Sequence, residues 1–115
     1  MTEQERQRLR MKADVFKALG NPVRLGIVEL LQQEEKCVCD IVEHVGTDTS
    51  NVSKHLSILR KQGIVTDRRE GLKIFYRLTM PCVLDFSQCV EGVLFDRIEE
   101  QRAVMAGCGS AGCSR

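Results

Sequence analysis

At 115 residues the chain is one domain by length with a modest core, and 43% apolar against 29% charged residues excludes a disordered tail. No apolar run approaches the roughly 18 residues of a membrane span, and Met1-Thr2-Glu3-Gln4-Glu5-Arg6 has neither the basic flank nor the apolar stretch of a signal peptide, so the chain reads as cytoplasmic. The net charge of +1 hides a division: residues 50–77 carry seven basic and two acidic side chains, residues 26–49 six acidic and one basic, an arrangement that suits one face to a polyanion.

Residues 4–19 have helical composition, with Leu9, Met11, Val15, Phe16 and Leu19 as the apolar side, and Gly20-Asn21-Pro22 stops them. Pro22 suits the first turn of a second helix through Val23, Leu25, Ile27, Val28, Leu30 and Leu31, because its missing N–H would be unpaired there anyway. Residues 32–36 form a polar connector. A short third helix over about Val38 to Val45 buries Ile41, Val42 and Val45, Gly46 closes it, and Thr47-Asp48-Thr49 makes a tight turn that can cap the next helix. From Ser50 to Gln62 a fourth helix turns Val52, Leu56 and Leu59 inward and Ser50, Asn51, Ser53, Lys54 and His55 outward, and Gly63 ends it.

The period then changes. Ile64-Val65-Thr66 begins a strand, Glu70-Gly71 supplies a turn, and Lys73–Leu78 alternates as a second strand. Two short helices, a tight turn and a basic hairpin make the pattern of a winged helix-turn-helix: mostly α, five helices and a two-stranded wing. Pro81 opens a fifth helix from roughly Cys82 to Met105 with an apolar stripe of Val83, Phe86, Val90, Val93, Leu94 and Ile98. One small domain has no place to bury that stripe, so a two-fold dimer is expected. Residues 1–106 are read as the DNA-binding and dimerisation domain, and 107–115 as a flexible cysteine-containing tail.

In such a motif the N-terminal part of the second helix enters the major groove of double-stranded operator DNA. Asn51, Ser53, Lys54 and His55 stand at that end to read base edges, and Ser50 with the first free N–H groups suits a phosphate. In the wing, Arg68, Arg69 and Lys73 reach for phosphate or the minor groove. No nucleophile, base and orienting group recur together, which excludes the usual hydrolytic enzymes.

Six cysteines in a chain that reads as cytosolic argue for thiol chemistry rather than a disulfide framework. Cys82 and Cys89 fall in an apolar helical pattern and read as small core residues. Cys37 and Cys39 flank the start of the third helix, where free N–H groups and the helix dipole favour thiolate, the form that binds soft ions. Residues two apart in a regular helix diverge, so joint chelation requires Cys37 at a frayed end or a distorted turn. A third thiol favours As(III) and a fourth ligand Cd(II) or Zn(II), with Cys108 and Cys113 of the tail, or Cys89, as candidates. A redox sensor, in which Cys37 or Cys39 pairs with another thiol, is the rival on the same fold.

The segments Phe16-Lys17-Ala18-Leu19-Gly20-Asn21-Pro22-Val23-Arg24-Leu25, Cys37-Val38-Cys39-Asp40-Ile41, Ser50 through Val65, and the wing from Arg69-Glu70-Gly71 to Phe75-Tyr76-Arg77 together resemble the ArsR/SmtB family of metal-responsive winged-helix repressors. The resemblance covers about residues 12–80. It implies a dimeric bacterial repressor that releases its operator when metal binds, with Cys37-Val38-Cys39-Asp40 matching a motif associated with As(III), Sb(III) and, in some branches, Cd(II), Pb(II) or Zn(II). The chain departs from the family's best-known arsenic pattern in having Val42 where a third cysteine often stands. It also lacks an N-terminal cysteine and any histidine on the last helix, which sets aside two other metal sites of the family. Cys108 or Cys113 as replacement third ligand is the resulting expectation.

Overall fold

The computed structural model describes residues 1–105. Helix α1 (Glu3–Leu19) starts at a reciprocal cap: the Glu5 backbone N–H donates to Thr2 Oγ1 at 3.1 Å while the Thr2 N–H donates to Glu5 Oε2 at 3.0 Å. Helix α2 (Pro22–Leu30) follows at once, its first free amides satisfied by Asn21 Oδ1, which accepts from Val23 and Arg24. Strand β1 (Lys36–Cys37) leads directly into α3 (Val38–Val45). Gly46, at φ +81°, lets the chain reverse and return its N–H to the Val42 carbonyl. Helix α4 (Thr49–Lys61), strands β2 (Val65–Glu70) and β3 (Lys73–Leu78), and helix α5 (Cys82–Met105) complete the order.

β2 and β3 pair antiparallel from Val65↔Leu78 to Glu70↔Lys73, joined through Gly71 at φ +63°. The sheet has a third strand that the sequence pattern did not announce. Lys36 pairs with Tyr76 and Cys37 with Phe75, so β3 is central in the order β1-β3-β2. A strand of two residues has no period of its own. Only a partner some forty positions away makes it one.

The chain divides into two compact units, residues 1–81 and the unit that begins at Cys82. In the first, Ile27, Ile41, Val52, Leu59 and Ile64 are fully enclosed, with Val28, Leu31, Leu56 and Val65 nearly so. Val52, Leu56 and Leu59 recur at helical spacing on α4, which is how that helix docks one face on α2, α3 and β2 while its opposite face stays in solvent. In the second unit α5 carries Phe86, Val90, Val93, Leu94, Phe95 and Ile98 exposed, and only Leu84 is buried among its described residues. Cys82 and Cys89 are also exposed. The helical pattern that suggested they were core residues is real, but in the single chain that side of α5 meets solvent.

Candidate DNA interface and thiol site

Helix α4 is entered through Asp48, whose Oδ1 accepts from the Asn51 backbone N–H at 2.8 Å. Ser50, Ser53 and Lys54 stand exposed on its first two turns. Asn51 and His55, read as outward from the sequence, are half-buried. The Asn51 Nδ2 donates to Thr47 Oγ1 at 3.3 Å, tying the side chain back to the turn. His55 Nδ1 lies 3.2 Å from Arg24 Nη1, and Arg24 Nε in turn donates to the Ala18 carbonyl at 2.5 Å. Because a guanidinium only donates, Nδ1 must accept, which leaves the proton of neutral His55 on Nε2. One arginine thus joins the end of α1, the start of α2 and the middle of α4.

Burial, reinforced by the neighbouring Arg24 charge, holds the His55 pKa below its ordinary 6.5. In the unfolded chain the imidazole returns to that ordinary value, so acidification protonates the unfolded form first. Stability is therefore expected to fall as pH drops from about 6.5 through the lower folded-state pKa. Melting temperatures of the native protein and His55→Gln measured between pH 7.5 and 5 check this: the native protein should lose more on acidification, and parallel curves refute the assignment.

In the wing, Arg69 and Lys73 are exposed and make no ion pair among the described residues. Arg68 is committed differently. Its Nε and Nη2 both donate to Glu35, the former at 3.1 Å, its Nη1 donates to Glu70 Oε2 at 2.6 Å, and its guanidinium lies 4.6 Å from the centre of the Phe75 ring. The hydrogen bond from Arg68 is the main reason the Glu35 carboxyl sits below its usual range. Sequence reasoning missed Glu35 because the connector before β1 has no pattern that would relate it to a hairpin arginine.

The thiols are brought together. Cys37 is the cap of α3 rather than part of it, with extended backbone at φ −77° and ψ 159°, and helical geometry begins only at Val38. That departure from the helix removes the divergence of residues two apart: the Cα atoms are 5.4 Å apart and the two sulfurs are bonded to each other. Cys37 is buried and Cys39 exposed, and the Asp40 carboxylate completes a cluster whose ligand atoms lie within 4.8 Å of one another. Asp40 stands inside the motif quoted above, yet spacing alone gave no reason to count it as a ligand. Cys108 and Cys113 lie outside the described residues.

A recognition helix presented by a short-turned helix pair, followed by a basic hairpin, defines a winged helix-turn-helix transcription regulator, not an enzyme. A family description, bacterial regulatory protein of the arsR family, matches residues 21–67. An uncharacterized HTH-type transcriptional regulator of Mycobacterium tuberculosis is 31% identical over 104 residues, 90% of this chain and 91% of the relative. The arsenical resistance operon repressor of Escherichia coli is 41% identical over 66 residues, 56% of each chain. Among solved structures, the homodimeric winged helix-turn-helix DNA-binding domain from Mycobacterium bovis superposes with a TM-score of 0.75 at 32% identity, covering 87% of this chain and 93% of that one. The chain belongs to the ArsR family of bacterial transcription regulators.

Proposed function

We propose that the protein is a repressor that binds operator DNA as a homodimer and releases it when As(III) or Sb(III) is captured by the Cys37 and Cys39 thiolates. The observation that carries this reading is the convergence of the two sulfurs at the cap of α3, the helix that packs directly on α4. Two sulfur donors meeting at one point suit a soft ion. Ser50, Asn51, Ser53, Lys54 and His55 on α4 and Arg69 and Lys73 on the wing form the DNA face, joined by Arg68 when it is free. The exposed apolar side chains of α1, Leu9, Met11 and Phe16, and the stripe on α5 supply the surface a second copy covers. Among the described residues no helix is long and apolar enough to cross a membrane. A third thiol, from Cys108, Cys113 or Cys89, would complete a trigonal site for the metalloid.

Two observations support narrower variants. Asp40 beside the sulfurs adds an oxygen donor, which Cd(II), Pb(II) or Zn(II) accept more readily than a metalloid does. The Cys37–Cys39 bond favours control by thiol oxidation, since the bonded pair cannot bind an ion and the reduced pair can. One experiment separates them. A duplex selected from a random pool by the reduced protein is titrated by fluorescence anisotropy in the presence of arsenite, antimonite, cadmium, lead, zinc or an oxidant. Release by arsenite or antimonite at stoichiometric load supports the proposal, release by a divalent ion or by oxidant alone transfers it to the corresponding variant, and retention under all of them refutes thiol control.

A further inference from the structure

We infer that Glu35 is a positioning residue for the wing: it withholds Arg68 from DNA, and the conformation of Cys37 sets whether it does so. The inference rests on the thiol reading above. Its basis is a row of side chains across the sheet. Cys37 is paired with Phe75 and Phe75 with Arg68, and directly opposed residues on antiparallel strands project to the same face. The Arg68 guanidinium lies over the Phe75 ring, and Phe75 in turn stands opposite Cys37 in the register of the sheet. Glu35 stands two positions before Cys37 on the segment that enters β1, and it takes Arg68 through both Nε and Nη2. Glu70 takes the remaining nitrogen.

Two carboxylates on one guanidinium cancel the charge that would attract a phosphate. Phosphate and Glu35 compete for the same forked donors, because both offer paired anionic oxygens at matching spacing. β1 has only two residues, and the second of them is the cap from which α3 departs. A change in the Cys37 backbone therefore has one residue through which to reach Glu35. The geometry seen, with Arg68 held, is that of the bonded sulfurs. Separation of the sulfurs on reduction loosens the Cys37 end of β1 and frees Arg68 for the backbone of the duplex.

The test is the salt dependence of binding to a random-sequence duplex, which counts phosphate contacts rather than base readout. The native protein is compared in its reduced form and after diamide treatment. Diamide accepts the two protons and two electrons released as the two thiols join, and peptide mass mapping verifies the Cys37–Cys39 bond. The oxidised native protein should show a slope of log K against log salt shallower by about 1.8 than the reduced one, the loss of one phosphate contact from each protomer of the dimer. Glu35→Gln should restore the steeper slope in the oxidised form. Glu34→Gln is the matched control, since it removes the same charge from a residue that pairs with Lys36 and not with the wing. In an Arg68→Ala background Glu35→Gln should change nothing.

Equal effects of Glu34→Gln and Glu35→Gln, or an effect of Glu35→Gln that survives in Arg68→Ala, would overturn the inference. If oxidation weakens the native protein and Glu35→Gln leaves that weakening intact, the gate fails while thiol control stands. If oxidation, like arsenite, leaves the native protein's binding unchanged, thiol control itself fails and the coupling of the gate to Cys37 fails with it.

Discussion

Replacing Cys39 with serine is expected to leave the reduced protein bound to its selected duplex within about twofold of native affinity and to abolish release by arsenite. Allosteric links of about 1–3 kcal/mol are typical, a ratio of roughly 5 to 150 between free and loaded affinities, and in the variant that ratio should collapse to near one. The reason lies in donor chemistry and placement. Cys39 is exposed in the first turn of α3, so a hydroxyl there costs the fold little, but a hydroxyl stays protonated and does not replace a thiolate on a soft ion. Cys37→Ser is the less informative twin, because Cys37 is 4% exposed in the sheet and a polar atom placed there needs a hydrogen-bond partner. Anisotropy titrations with and without arsenite, in reductant, measure both quantities at once. Arsenite release persisting in Cys39→Ser would remove the thiol pair from the inducer site.

The largest effect on stability is expected at Leu59, which is completely enclosed on the inner face of α4. Leu59→Ala should cost about 2–5 kcal/mol through lost burial and the cavity left behind, a large share of the 5–15 kcal/mol typical of a whole domain. Ile58→Ala, one position earlier and 40% exposed, should cost less than about 1 kcal/mol. Urea unfolding at matched protein concentration compares them, since dimerisation makes stability depend on concentration. The same contrast bears on function. α4 holds Ser50, Ser53 and Lys54 toward solvent only because Val52, Leu56 and Leu59 are fixed behind them, so Leu59→Ala should weaken DNA binding near its melting range and recover on cooling. Equal costs at 58 and 59 would mean that α4 does not turn Leu59 inward and Ile58 toward solvent.

The helices and the hairpin were readable because their signals are local. Pro22 after a capping asparagine, Gly46 at the end of α3, the recurrence of Val52, Leu56 and Leu59, and the Glu70-Gly71 turn each act within a few residues of themselves. The outward set on α4 was legible only in part. Ser50, Ser53 and Lys54 follow from periodicity, whereas Asn51 and His55 are drawn inward by Thr47 and Arg24, and a partner 31 positions away leaves no trace in a helical pattern. Arg68 shows the same limit more sharply. Composition marked it as one of several basic wing residues, but Glu35 and Glu70 single it out.

Residue order alone determined that this chain makes a helix-turn-helix with a basic hairpin, and that two thiols stand at the threshold of the helix before the DNA reader. Those properties depend on neighbours along the backbone. Only the tertiary structure decided that Cys37 leaves the helix for a strand, that its sulfur thereby meets that of Cys39, and that a glutamate beside it holds an arginine of the wing. Each of these requires β1 to find β3 across a long stretch of sequence. Such pairing is a property of the closed sheet, where backbone hydrogen bonds and shared faces bring distant residues into register.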